Sequence, residues 1–391
     1  MTDTNEIFNP WEVKGKVDYK KLIEKFGTEE IDTQLIERIE KLTNKPVHPW
    51  IKRGIFFSHR DLNKFLDAYE KGTPVFLYTG RGPSSESMHI GHMIPFMLTK
   101  YLQDVFNCPV VIQIADDEKY YFKGKHHTDF DKIYKLGMEN AKDIIAFGFN
   151  KDKTFIFSNR DYKSVSLEYE KLASEFKFNT TFNDLKSIFG LKDNSNVGMI
   201  EWPIYQSIAA FSKSYPHIFK GKNAFCLTVC AIDQDPYFRL CRDVAPKMKL
   251  IKPCLIESTF ISPLTGTNGK MSSSSSTEST IFLTDDDHII TKKIKRFAFS
   301  GGGGDGTLEE HKKYGGNMDT DIPCQYLKYF EFDDDKLNDI YKKFKAGEMT
   351  CNEIKKILIE KLIEVIQNHQ KNRSLITDDL LNDFYSKKEI V

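Results

Sequence analysis

No stretch of this sequence reaches the roughly 18 consecutive apolar residues that a membrane span needs, and MTDTNEIFNPW lacks the basic-then-apolar order of a signal peptide. Net charge is absent too. The 56 Lys and Arg balance 56 Asp and Glu, which argues against a general polyanion binder but leaves room for a local basic face. Only nine of the basic residues are Arg, so an Arg inside a motif carries extra weight. The seven cysteines (108, 226, 230, 241, 254, 324 and 351) are odd in number and unpaired in pattern. They read as reduced core thiols of a cytoplasmic protein. Cys226 and Cys230 lack the second pair that would complete a zinc site, so no protein metal site is expected.

What remains is an ordinary globular composition, 40% hydrophobic and 29% charged, in 391 residues. That length allows two or three domains with a sizeable core. Residues 21–42, KLIEKFGTEEIDTQLIERIEKL, place apolar residues three and four apart on either side of Gly27, which predicts two short helices. DLNKFLDAYEKG (61–72) predicts another, ending on Gly72. The period then changes. PVFLYTG (74–80), CPVVIQIADDE (108–118), AFCLTVCAIDQ (224–234) and CLIESTFISPL (254–264) read as buried strands of a parallel sheet, the first two joined by the helix MIPFMLTKYLQDVF. Helical patterns occupy about 129–148, 164–176 and 182–190, and everything from about 288 onward, where Thr307 and Glu310 have capping-box spacing. The fold class is therefore α/β, a parallel sheet with an all-α C-terminal part.

In an open parallel sheet, ligands bind at the carboxyl ends of the strands. Tyr78-Thr79-Gly80-Arg81 ends the first strand, Gln113 followed by Asp116, Asp117, Glu118 and Lys119 ends the second, and Asp233-Gln234 ends the third. The HIGH tetrapeptide, 89–92, opens the crossover helix. With Pro95 assigned to a first helical turn, the helix begins near Gly91, and free N–H groups with the positive dipole end lie beside His89 and His92 as a phosphate site. Gly91, lacking a Cβ, would let a base or phosphate come close. Downstream, GTNGKMSSSSSTEST could be a linker by composition.

HIGH at 89–92 and KMSSS at 270–274 resemble the paired signatures of class I aminoacyl-tRNA synthetases. LYTGRGPSSESMHIGH, QIADDEKYYF, AIDQDPYFR and GKMSSS, in that order, resemble the tryptophanyl-tRNA synthetase family of the eukaryotic and archaeal type, over nearly the whole chain. The resemblance implies a Rossmann-like parallel-sheet catalytic domain over 73–287, with a dimer-forming insertion at about 120–200. It implies a helical N-terminal extension (1–72) partly covering the active site, with no appended helix-turn-helix module, a helical anticodon-binding domain (288–375), and a last helix (376–391) packing back on the catalytic domain. The implied ligands are ATP, Mg2+, L-tryptophan and tRNA(Trp), and the implied assembly is a homodimer.

The same resemblance implies residue roles. His89, Gly91, His92 and Arg81 would bind ATP, with Lys270, Met271, Ser272 and Ser274 in a mobile loop closing over the triphosphate. The family's second loop lysine is replaced here by Ser273, and Lys119 or Mg2+ would supply the missing charge. His89, His92, Lys270 and Lys119 would then act in catalysis. Tyr78 and Gln113 would meet the indole, whose N–H can only donate. Glu118, Gln206 and Gln234 would surround the α-amino group, and Gly80, Cys230 and Phe238 would line the pocket. Lys292, Lys293, Lys295 and Arg296 form a basic run suited to tRNA phosphates, and Asp305 follows a run of glycines where relatives have an arginine. Three alternatives remain: a tyrosyl-tRNA synthetase, a small-molecule HxGH nucleotidyltransferase, and a non-catalytic synthetase-like binding module. Tyrosyl enzymes place a Gln and an Asp three apart, whereas here Gln206 is followed by Ala209.

Overall fold

The structure, a computed structural model, describes residues 7–8, 13–14, 18–123, 129–267, 270–271, 277–302, 307–387 and 389. Two short strands, β1 (Ile7–Phe8) and β2 (Val13–Lys14), pair with each other. The remaining strands are β3 (Glu29–Glu30), β4 (Phe56–Arg60), β5 (Val75–Arg81), β6 (Val110–Ile114), β7 (Thr154–Ser158), β8 (Phe225–Ala231) and β9 (Cys254–Ser258). They form one sheet in the order β3-β4-β9-β8-β5-β6-β7, with five parallel strands from β9 to β7 and an antiparallel edge made by β4 and β3. The four expected strands are present. Five more were not anticipated: β1 to β4 in the segment expected to be helical, and β7 between two helical patterns.

The chain leaves β5 toward β6 and β7 and later returns to β8 on β5's other side. The order of connection therefore reverses between β5 and β8, which opens a crevice at their carboxyl ends. Both faces of the sheet are buried, so its strands read as near-continuous apolar runs. Leu77, Ile112, Ile156 and Val229 point into one core, which continues into the C-terminal helices through Tyr326, Leu362 and Ile366. Phe76, Tyr78, Val111, Phe155 and Cys230 point into a second core, closed by Tyr169, Trp202 and Phe238. The indole-facing candidates thus lie on the second face and alternate with residues of the first, as a period of two requires.

Local signals set the helix ends. Gly27 terminates Tyr19–Phe26 in the left-handed conformation, and the Asp32 carboxylate caps Thr33–Thr43. The crossover helix spans Ile90–Phe106, with His89 as its N-cap. Pro95 consequently sits in the second turn, one turn further in than expected, because the His89 imidazole starts the helix ahead of Gly91. From Asp287 onward every regular element among the described residues is a helix. The longest of them, Cys351–Ser374, packs on Ile322–Phe330 and Asp287–Phe297.

Candidate active site

A cavity of about 470 Å³ occupies the crevice at the carboxyl ends of β5, β6, β8 and β9. From β5 and the turn after it come Tyr78, Gly80 and Arg81, and from the crossover helix His89, Gly91 and His92. The segment after β6 adds Glu118 and Lys119, and Gln113 lies at the end of that strand. Gln206, Cys230, Gln234 and Phe238 close one side, Lys270 and Met271 the other. Ser272, Ser273, Ser274 and Asp305 lie outside the described residues.

Each histidine of HIGH is locked by its own helix start. His89 Nδ1 accepts the Gly91 N–H at 3.1 Å, His92 Nδ1 lies 3.3 Å from the His89 N–H, and the two rings stack with centroids 3.5 Å apart. The Ile90 N–H is taken by the Ile281 carbonyl and the His92 N–H by the His89 carbonyl. The helix start therefore does not offer the free backbone donors that the sequence suggested. Its polar groups toward a ligand are side chains. Since His89 Nδ1 accepts, its proton resides on Nε2, which is buried and has no partner among the described residues. Burial, with Arg81 and Lys270 nearby, pushes the His89 imidazole down to about 3, and burial with Arg81 and His89 places His92 well below the usual histidine range. Both rings are neutral at pH 7.

Arg81 is sequestered without a carboxylate bonded to it. Its guanidinium bonds Asn140 Oδ1 (3.1 Å), Ser84 Oγ (3.4 Å) and His92 Nε2 (3.1 Å). Burial lowers it to about 10. A neutral imidazole has one acceptor nitrogen, so His92 satisfies Arg81 or the His89 N–H, not both. This is a donor-rich corner with too few acceptors, the environment an anion completes. The two lysines are parked on carboxylates instead: Lys119 Nζ on Glu118 Oε1 at 3.1 Å and Lys270 Nζ on Asp233 Oδ2 at 2.5 Å. A Cβ at position 91 would fall 2.8 Å from Ile261 Cγ2, so glycine there lets the chain after β9 close against the helix start.

On the opposite side the Tyr78 hydroxyl donates to Gln113 Oε1 at 2.5 Å, with Phe238 edge-on to the Tyr78 ring. Gln206 Nε2 donates to Gln234 Oε1 at 3.1 Å. Sequence reasoning missed Trp202, which lines the cavity one helical turn before Gln206, and it used Asp233 only as a strand-end acid. An i, i+4 spacing to Gln206 is the signal that could have found Trp202.

Two expectations fail. Asp116 and Asp117 do not converge on the mouth: Asp116 accepts from Ser158 Oγ and Arg160 N, and Asp117 from Asn159 and Lys163. A helix starts at Asp116, and its 100° per residue sends successive side chains to different sides. Lys293 leaves the basic run, because it is buried and its Nζ bonds the Thr280 carbonyl and Asp285 Oδ2, each at 2.7 Å. Lys292, Lys295 and Arg296 are exposed on the same helix.

Residues 70–367 match the family described as tRNA synthetases class I (W and Y). The human protein named tryptophan–tRNA ligase, cytoplasmic, is 48% identical over 395 aligned residues, covering 100% of this chain and 83% of that protein. The crystal structure of Plasmodium falciparum tryptophanyl-tRNA synthetase superposes with a TM-score of 0.88 at 45% identity, covering 95% of this chain and 96% of that one. A tryptophanyl-tRNA synthetase from Encephalitozoon cuniculi, solved bound to tryptophan, gives a TM-score of 0.87 at 40% identity over 96% of this chain and 99% of its own.

Proposed function

Because the chain belongs to the class I tRNA synthetases of the W and Y kind, we propose how its cavity carries out the family's reaction. The enzyme activates L-tryptophan with ATP to tryptophanyl-adenylate and pyrophosphate, then transfers the tryptophanyl group to tRNA(Trp). It works in the cytoplasm, the compartment in its relatives' names, and no helix among the described residues is long and apolar enough to cross a membrane.

The attacking carboxylate is already a nucleophile, so no general base is required. Alignment, worth up to about 7–11 kcal/mol, and neutralisation of the departing pyrophosphate carry the catalysis. His89 Nε2–H and Arg81 supply donors to the triphosphate from a half-buried corner where each counts for more than in bulk water. Lys270 swings from Asp233 to phosphate as the loop bearing Met271, Ser272 and Ser274 closes. Lys119, leaving Glu118, supplies the charge that Ser273 lacks. Glu118, Gln206 and Gln234 then receive the tryptophan ammonium, and the indole N–H meets Gln113 Oε1 beside Tyr78, against Phe238, Cys230 and Gly80. Mg2+ would enter with the triphosphate: among the described residues no group of three acidic, His or Cys side chains could hold it, and Mg2+ commonly takes its ligands from substrate phosphates and water.

Lys292, Lys295 and Arg296 offer exposed positive charge for tRNA phosphates. The chain pairs as a homodimer through the 120–200 insertion. Val165, Leu167, Phe178 and Val197 all leave large apolar side chains exposed in that stretch, Phe178 at 91%, and a second copy would cover them.

The observation that carries this reading is the acceptor oxygen of Gln113 beside the rings of Tyr78 and Phe238. It is tested by ATP–pyrophosphate exchange with each of the twenty amino acids, followed by charging of tRNA(Trp). Exchange dependent on tryptophan alone is expected; exchange with another amino acid and none with tryptophan would overturn it.

A further inference from the structure

Gln113 ends in a carboxamide, and its two ends present opposite hydrogen-bonding characters to whatever lies in the cavity. Which end faces the substrate is settled by groups behind it. One end lies 2.9 Å from Asn159 Oδ1 and 3.3 Å from the backbone carbonyl oxygen of Tyr205. A carbonyl only accepts, so this end of Gln113 is the NH2. Asn159 is itself oriented: its nitrogen lies 3.1 and 3.2 Å from the two carboxylate oxygens of Asp117, which also only accept. Asn159 must therefore turn its NH2 to Asp117 and its oxygen to Gln113. Asp117 in turn is paired with the Lys163 ammonium at 2.6 Å. Gln113, Asp117 and Asn159 are all buried, so water is not at hand to satisfy a flipped amide.

We propose that the Lys163–Asp117–Asn159 chain, together with the Tyr205 carbonyl, fixes the polarity of Gln113, and so makes the pocket specific for a ring that donates a hydrogen bond. The chain runs in one sense only. A carboxylate at one end forces each amide to donate toward it, and the final oxygen, Gln113 Oε1, is left for the Tyr78 hydroxyl and the ligand. An indole N–H fits that oxygen, whereas a ring of the same shape without an N–H leaves it short of a donor. None of Asp117, Asn159 and Lys163 lines the cavity. They are positioning residues, acting through Gln113. The inference rests on the reading that Gln113 meets the indole, and it adds what gives Gln113 its sense.

Asp117→Asn tests it, because an amide at 117 can donate as well as accept, which lets Asn159 reverse and leaves the sense of Gln113 to the Tyr205 carbonyl alone. The measurement is kcat/KM in pyrophosphate exchange for L-tryptophan and for 3-(benzothiophen-3-yl)-L-alanine, in which sulfur replaces the N–H. The wild-type enzyme should prefer tryptophan by about 10²-fold or more, within the range that sites built to bond a polar group achieve. Asp117→Asn should cut that preference about tenfold, the value of a single hydrogen bond, by losing tryptophan activity while the analogue's is retained. Asn159→Ser, which removes the middle amide without adding a charge, should do the same and serves if Asp117→Asn does not fold. Lack of preference in the wild-type enzyme would overturn the indole reading of Gln113 itself. A wild-type preference that survives intact in the folded variants, or an equal loss of both substrates, would overturn the polarity chain alone.

Discussion

Lys270 holds its ammonium nitrogen 2.5 Å from the Asp233 carboxylate, so the lysine of the KMSSS stretch is paired to protein before any phosphate arrives. The partners follow different strands, β9 and β8, and the pair spans the mouth of the cavity. A triphosphate has to replace one charge-assisted bond with another, and the exchange gains most where negative charge develops on the leaving pyrophosphate. Lys270→Ala is expected to lower kcat for adenylate formation about 10- to 100-fold, the range for a lost bond to a charged group. Tryptophan binding, followed by equilibrium titration, should be unchanged. An unaltered kcat with only a raised KM for ATP would contradict this role.

The buried histidines predict a pH dependence of stability. His89 sits at about 3 in the fold because of burial and the cations beside it, against about 6.5 in an unfolded chain. As pH falls below about 6.5 the unfolded state takes up a proton that the folded state refuses, so stability is lost progressively down to about pH 3. At pH 5 the loss from His89 is about 2 kcal/mol. His89→Asn keeps an acceptor at the N-cap and removes the titration. Urea unfolding at pH 7 and pH 5 should show a difference smaller by about that amount in the variant. An undiminished difference would place the dependence elsewhere.

Arg373, on the long C-terminal helix, reaches across to the catalytic side and bonds Asp143 Oδ1 through Nε at 2.6 Å. Burial keeps the Asp143 carboxyl above its usual range even though Arg373 pulls it back. His369 bonds the Asp143 carbonyl oxygen at 2.9 Å, and Asn140, one residue short of a turn earlier, holds the Ser85 carbonyl and Arg81. Arg373→Met strands a buried carboxylate and is expected to cost about 2–3 kcal/mol. Adding Asp143→Asn should return part of that loss. Strictly additive destabilisation in thermal melts would show that the two side chains share no task.

Four of the five parallel strands and most of the cavity were legible because buried strands carry long apolar runs that end in polar residues. The edge strand β4 was not, since FFSHR mixes two phenylalanines with His59 and Arg60, and Arg60 turns out to be neutralised by Asp235 at 2.6 Å. β7, TFIFS, has Thr and Ser at its ends, so its apolar run is only Phe155-Ile156-Phe157 and does not stand out between helices. Lys293 looked like its exposed neighbours because its burial depends on Asp285, a turn and more away on the far side of the helix start. Asn159 was invisible for a related reason: nothing local distinguishes a buried asparagine that orients a glutamine 46 positions earlier.

Tryptophan and tyrosine compete most closely for a cavity of this kind. Ala209, three residues after Gln206, is buried and carries no side-chain oxygen, so a tyrosine hydroxyl lacks the carboxylate that tyrosyl enzymes place at that spacing, and its smaller ring leaves indole-sized space unfilled. Measuring kcat/KM for L-tryptophan and L-tyrosine in ATP–pyrophosphate exchange weighs these effects together. A preference for tryptophan of about 10⁴-fold or more is expected; tyrosine activated within tenfold of tryptophan would contradict the assignment of the pocket.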